Sequence, residues 1–149
     1  MKDNRRLRIY LGDLVHNFLG GGSYMFPLNI GFLSSYAKKV FGDEIDIELY
    51  KYPGELMERL KSDPPHILGL SNYTWSANLN NEISGFAKSI DATTMVVWGG
   101  PNINQTNDGY VEFFRKNPMV DFYAINEGEP GFANPDVSST TVDPVAAKS

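Results

Sequence analysis

The sequence predicts an α/β domain built on a parallel sheet. Three observations lead there: short apolar runs recur along the chain, stretches with helical apolar spacing lie between them, and several runs end abruptly in small or polar residues. Leu7 to Leu11 is the first β-prone run, bounded by Gly12 and Asp13. An irregular stretch, Asp13 to Pro27, follows and holds Gly20, Gly21, Gly22 and Ser23. Pro27 suits a helix start, and Leu28, Phe32, Leu33, Tyr36, Ala37 and Val40 then recur on one helical face, with Gly42 as the stop. Ile45, Ile47 and Leu49 alternate with Asp46, Glu48 and Tyr50, the pattern of a strand with one wetter face. Pro53 opens a short helix carrying Leu56, Met57 and Leu60, ended by Asp63-Pro64-Pro65.

His66 to Leu70 is almost wholly apolar, as a central parallel strand should be. Ser76 or Asn78 caps the next helix, whose buried stripe is Leu79, Ile83, Phe86, Ala87 and Ile90. Thr93 to Trp98 is the fourth strand, and Gly99-Gly100-Pro101 ends it. A helix around Asp108 to Lys116 carries Val111, Phe113 and Phe114, and Val120 to Ile125 is the last strand. Five strands alternating with four helices make a flavodoxin-like (Rossmann-like) three-layer sandwich, with a five-stranded parallel sheet in the order 2-1-3-4-5, the first expectation. Residues 1–133 form this domain. Residues 134–149, small and polar without a period, read as a low-complexity tail or linker.

Composition narrows the function. A chain of 149 residues suits one domain with its own core. Thirteen basic and 18 acidic residues give a formal charge of −5, which offers no general attraction for nucleic acid. The early cluster Lys2, Arg5, Arg6 and Arg8 reads as the solvated flank of the first strand. With no cysteine, these residues supply no disulfide, no thiolate nucleophile and no ligand to an iron–sulfur cluster. No apolar stretch approaches transmembrane length and no secretion signal is evident, so no membrane contact and a cytoplasmic location are expected.

Chemistry concentrates at the strand ends, where the crevice of a parallel sheet receives ligands. After the central strand come Ser71, Asn72, Tyr73, Thr74 and Trp75, which offer hydroxyl and amide groups beside aromatic area. Gly99-Gly100-Pro101 joins a permissive backbone to a fixed φ, giving either a preformed ligand-facing loop or a plain turn into the next helix. Gly20-Gly21-Gly22-Ser23 lacks the lysine of a phosphate loop and sits too far from the first strand for a dinucleotide fingerprint. It reads as a loop near the crevice, with Tyr24, Met25 and Phe26 as a ligand cover or as packing. His66 opens a strand at the end remote from the crevice and is structural. His16 follows Asp13 on the ligand side and is a contact candidate, but one histidine and one aspartate do not make a metal site. Glu127 and Glu129 flank Gly128, either as an acid/base pair or as acids favouring a helix start.

These residues carry a resemblance. Phe26-Pro27-Leu28-Asn29-Ile30-Gly31-Phe32-Leu33, Leu68-Gly69-Leu70-Ser71-Asn72-Tyr73-Thr74-Trp75, Val97-Trp98-Gly99-Gly100-Pro101, and Val120-Asp121 through Glu127-Gly128-Glu129 to Phe132 appear in that order. Over roughly Leu7 to Phe132 the chain resembles the N-terminal cobalamin-binding domain of cobalamin-dependent radical S-adenosylmethionine enzymes. The resemblance implies a corrinoid held at the C-terminal strand ends. Ser71 to Trp75 would lie near the ring or its lower-face tail, and Gly99, Gly100 and Pro101 would shape the tail's groove. Glu127 and Gly128 would stand at the junction towards a catalytic domain. It implies cobalamin as cofactor and a catalytic radical domain or partner enzyme as partner; His16 and Gly22, from their place in the first loop, are further contact candidates.

Two departures qualify what is implied. The Asp-x-His-x-x-Gly loop that carries a cobalt-ligating histidine in methionine-synthase-type domains is not matched, since two residues separate Asp13 from His16. The three-cysteine motif of the catalytic barrel has no counterpart among these residues. The expectation is therefore a corrinoid-binding module that is not catalytic alone. The alternative is an interaction or regulatory domain that has lost the cofactor. Flavin and phospho-receiver readings fit poorly. Ser71 and Asn126 stand where a receiver needs aspartate and lysine, and Gly12-Asp13-Leu14-Val15 is not a hydroxyl-rich phosphate loop.

Overall fold

A computed structural model describes residues 6–15, 28–125 and 141–142. The expectations for His16, Gly22, Glu127 and Gly128, for Gly20, Gly21, Ser23, Tyr24, Met25, Phe26 and Glu129, and for Lys2 and Arg5 lie outside the described residues, as does the tail apart from two positions. Strands β1 (Leu7–Gly12), β2 (Ile45–Tyr50), β3 (Ile67–Ser71), β4 (Met95–Gly99) and β5 (Phe122–Ala124) form a parallel sheet in the order β2-β1-β3-β4-β5. The expected order holds. Thr141–Val142 adds a short strand, β6, antiparallel to β5 at the sheet edge. No alternation within a two-residue strand could have announced it.

The helices are α1 (Leu28–Phe41), α2 (Pro53–Ser62), α3 (Ala77–Ile90) and α4 (Asn107–Lys116). Alternation along each strand divides the core in two. Tyr10, Leu68, Leu70, Val96, Trp98 and Tyr123 face one way, into a cluster with Leu56 and Leu60 of α2, Ile83 and Ala87 of α3 and Phe114 of α4. Ile9, Leu11, Ile45 and Ile47 face the other way, against Ile30 and Ala37 of α1. Among the described residues α1 is the one helix on that side, and it packs over β1 and β2. Met95 therefore stays exposed, while Val97 and Phe122 are half-buried. No described helix is long and apolar enough to cross a membrane.

Element boundaries move where side chains outbid the backbone ladder. Thr93 and Thr94 leave the expected fourth strand because Asp91 Oδ1 accepts from both Thr93 N and Thr93 Oγ1, making a local turn. Thr94 is buried, and its hydroxyl donates to Pro65 O. Gly42, the expected helix stop, has φ +55° and opens a 3-10 turn over Gly42–Glu44. Ser76 precedes α3 as expected but makes no side-chain cap bond there. Its hydroxyl instead accepts from Tyr73 N and donates to Ser71 O. Thr106 caps α4 by accepting from Gly109 N at 3.0 Å.

Arg8 is not the solvated flank its neighbours suggested. Its guanidinium reaches Asp63 at 3.2 Å and donates to Pro64 O at 3.1 Å, tying β1 to the end of α2. His66 is structural as expected: Nδ1 accepts from Arg8 N at 2.9 Å at the strand's N-terminal edge. Beside them Arg59 donates to both carboxylate oxygens of Glu48, which also accepts from Tyr50 OH, and stands over the Tyr10 ring. Arg59 holds the Glu48 carboxyl below the usual carboxylate range, against an opposing contribution from burial. The stability linked to this shift is full above the unfolded value of about 4.3 and is lost as pH falls below it through the folded value. Glu48→Gln should lower stability at pH 7 by about 0.5–1 kcal/mol, a size set by the half-exposed pair. The difference from wild type should shrink towards pH 3, and urea midpoints at the two pH values measure it.

Candidate functional site

A groove of about 210 Å³ opens at the C-terminal ends of β3 and β4, on the α1 side of the sheet. Parallel register builds its floor. Leu11, Gly69 and Val97 form one in-register row, and Ser71, Gly99 and Ala124 form the next. Facing neighbours in register point the same way, so four of these six positions present glycine, serine or alanine to one depression. Asn29, Ile30 and Leu33, from the first turns of α1, make the wall. Gly99 is not demanded by the protein's own packing, because a Cβ there would meet Ala124 at 3.4 Å, an ordinary contact. The missing side chain leaves space on the floor.

The rim is polar. Asn29 Nδ2 donates to Ser71 Oγ and to Tyr73 OH, both at 3.0 Å, while its Oδ1 accepts from Ile30 N. Each hydroxyl thus spends an acceptor site on Asn29 and keeps its O–H for another partner. The rim is suited to ligand acceptors such as amide carbonyls or phosphate oxygens. The Ser71 carbonyl is fixed from behind by Asn80 Nδ2 at 2.8 Å and Ser76 Oγ at 3.2 Å. Asn80 Oδ1 is buried with no hydrogen-bond partner among the described residues. Tyr73 stacks on Trp75 at 4.7 Å with planes 4° apart, and Trp75 is 65% exposed.

Of the residues expected at the site, Ser71, Tyr73, Gly99 and Gly100 line the groove together. Thr74, Trp75 and Pro101 are exposed on the same two loops without lining it. Thr74 Oγ1 donates to Asn102 Oδ1. Asn72 is set differently: it is 1% exposed and faces the opposite layer. Its Nδ2 donates to Asn102 O at 2.9 Å and Tyr123 OH at 3.2 Å. Tyr123 OH in turn donates to Gly100 O at 2.8 Å, and burial pushes its pKa up to about 12, so it stays a neutral donor. Gly100 has φ +128°, and a Cβ there would come within 2.6 Å of Asn72 O. Only glycine fits at that turn.

Sequence reading missed Leu11, Gly69, Val97 and Ala124 on the floor and Asn29, Ile30 and Leu33 on the wall. A usable signal existed for Gly69, a glycine inside an apolar strand, which marks close approach by another group. No group of three or more metal-ligating side chains gathers among the described residues. Asp13, just past β1, has its pKa raised by burial, with Lys51 opposing.

No protein-family profile matches the chain. It is 32% identical over 123 residues to the cobalamin-dependent radical SAM methyltransferase TokK of Streptomyces tokunonensis, covering 77% of this chain and 17% of that protein. Among solved structures it resembles a cobalamin-binding protein from Desulfitobacterium hafniense DCB-2, with TM-score 0.59, 15% identity, and 84% of this chain on 55% of that one. It also resembles the cobalamin-dependent S-adenosylmethionine radical enzyme OxsB, solved with aqua-cobalamin and S-adenosylmethionine, with TM-score 0.63, 20% identity, and 87% of this chain on 18% of that one. The chain therefore spans less than a fifth of the two radical enzymes. The structural likenesses establish the shared fold, and the sequence match adds kinship: the chain is an α/β domain related to the cobalamin-dependent radical S-adenosylmethionine enzymes.

Proposed function

We propose that this chain is a cobalamin-binding module that presents a corrinoid to chemistry performed by a radical S-adenosylmethionine catalytic domain or partner. The observation that carries the reading is the groove itself. Its floor is stripped of side chains at Gly69 and Gly99, at the strand ends of a domain with 32% identity to part of TokK. Sites that enclose a whole drug-sized ligand run to roughly 300–1,000 Å³. At about 210 Å³ this groove takes a flat portion of a corrinoid, its lower tail, and leaves the ring outside. The residues fit such a tail: Leu11, Ile30, Leu33 and Val97 give apolar contact, and the Ser71 and Tyr73 hydroxyls give donors for its polar groups.

In this reading Ser71, Tyr73, Gly99 and Gly100 touch the cofactor directly, and Asn72 acts behind them. Thr74, Trp75 and Pro101 border it, and His16, Gly22, Glu127 and Gly128 are further contacts. A bound corrinoid supplies cobalt-centred methyl or redox chemistry. The chain's own residues bind it, orient it and shield one face from water. Because residues 1–149 contain no cysteine, the thiolates of an iron–sulfur cluster must come from elsewhere. Residues 1–133 constitute the binding domain, residues 134–149 a linker that contributes the short edge strand β6 to its sheet, and the module works in the cytoplasm.

Incubation with hydroxocobalamin followed by desalting should leave corrinoid absorbance with the protein at close to one equivalent. Complete loss of colour on desalting would leave the alternative, a domain that has kept the scaffold and lost the cofactor. Gly99→Val should keep the fold, since a Cβ meets only ordinary contacts, yet fill the floor and weaken hydroxocobalamin binding at least about tenfold. Unchanged far-UV circular dichroism together with a fluorescence titration of Trp75 and Trp98 tests both halves of that statement.

A further inference from the structure

Behind the groove, three strand ends meet at one buried junction. Asn72 N donates to Gly99 O at 2.6 Å, and its side chain bonds Asn102 O and Tyr123 OH. Tyr123 OH in turn donates a hydrogen bond to Gly100 O at 2.8 Å. The Tyr123 ring is fixed edge-on against Phe113, with centroids 4.9 Å apart. Asn72 and Tyr123 each sit next to groove residues. Asn72 lies between Ser71 and Tyr73, Tyr123 precedes Ala124, and the carbonyls they engage belong to Gly99 and Gly100. Alternation puts the clamp on one face of the strands and the ligand surface on the other.

We propose that Asn72 and Tyr123 are positioning residues that set the width of the groove without touching its ligand. The Gly99-Gly100 segment carries no side chain that packs it in place, so its path depends on who holds its carbonyls. Tyr123 holds one and Asn72 the other. A clamp made before binding removes the cost of ordering that loop when the cofactor arrives. This inference rests on the corrinoid reading for its ligand but not for its geometry.

Tyr123→Phe tests it, because the ring packing stays while the hydroxyl that links Asn72 to Gly100 goes. Leu60→Ala, in the α2 core away from the groove, serves as a control for plain loss of stability. Both are titrated with hydroxocobalamin well below their unfolding midpoints, and exchange of the Asn72 amide is followed in each. Tyr123→Phe should bind about tenfold more weakly, with faster Asn72 exchange than in Leu60→Ala, while Leu60→Ala binds within about twofold of wild type. Equal binding by Tyr123→Phe and wild type, or equal weakening in both variants, overturns the proposal. If wild type itself retains no hydroxocobalamin, the corrinoid reading falls and the exchange data decide alone. Faster Asn72 exchange in Tyr123→Phe than in Leu60→Ala then upholds the clamp, and equal exchange overturns it. Should Tyr123→Phe fail to fold, wild-type exchange answers instead. Protection of the Asn72 amide close to that of the β3 core supports the junction, and exchange as fast as the exposed Thr74 amide overturns it.

Discussion

Everything at the site depends on the in-register pairing of β3, β4 and β5. Parallel register makes Ser71, Gly99 and Ala124 neighbours on one face and Leu70, Trp98 and Tyr123 neighbours on the other. The same three strands thus carry a floor of small side chains and, one residue out of phase, the heaviest part of the core. A slip of one residue would exchange the two faces, filling the groove with Trp98 and Tyr123 and emptying the core. The bulky side is what makes the bare side affordable. Trp98 and Tyr123 are wholly buried among residues of α3 and α4, Phe114 among them, so hydrophobic burial holds strands that are stripped of side chains on their other surface.

Polar groups beneath the strand ends complete that arrangement. The loops after β3 and β4 turn away from the ladder, and their backbone groups need other partners. Asn72 and Ser76 supply them from the loop, and Asn80 supplies one from α3. Trp98 Nε1 donates to Ser84 Oγ, Ser84 donates to Asn80 O, and Asn80 Nδ2 donates to Ser71 O. This chain of bonds runs from the core to the rim. Ser71 is consequently held by its carbonyl from below while its hydroxyl meets Asn29 and the groove. Buried polar side chains here serve backbone geometry, which explains why a site rich in Asn and Ser contains no cluster of charges.

Much of this was legible in the sequence because hydrophobic period is a strong signal. Five strands and four helices followed from the apolar pattern and the chain's short connections, while the strand order, which no single sequence displays, was the first expectation for five parallel strands. The strand ends were found because Ser71 to Trp75 and Gly99-Gly100-Pro101 interrupt apolar runs. Which of those residues face the groove was not legible. Asn72 and Tyr73 are adjacent and chemically similar candidates, yet one is a buried brace and the other a rim hydroxyl, because side-chain direction at a strand end depends on where the last ladder bond falls. The wall from α1 was missed for a different reason. Asn29 and Ile30 are separated from Ser71 by some forty positions, and their meeting is set by how α1 crosses β1. A local pattern cannot carry that.

The position of α1 also explains why the groove is open at all. On the α2, α3 and α4 side the strands pack into the larger core cluster with all three helices. On the other side α1 covers β1 and β2 and leaves Met95, Val97, Gly99 and Phe122 of β4 and β5 exposed or half-buried, while Ala124 is buried. The groove lies along the boundary between those two zones, with α1 as its wall and the bare strands as its floor. Packing α1 one strand further over would seat its side chains on Gly69 and Gly99 and close the site. Leu33 and Ile30 reach the wall and stop there, so the placement of one helix over two strands, rather than any single reactive group, gives this domain a place to hold a ligand.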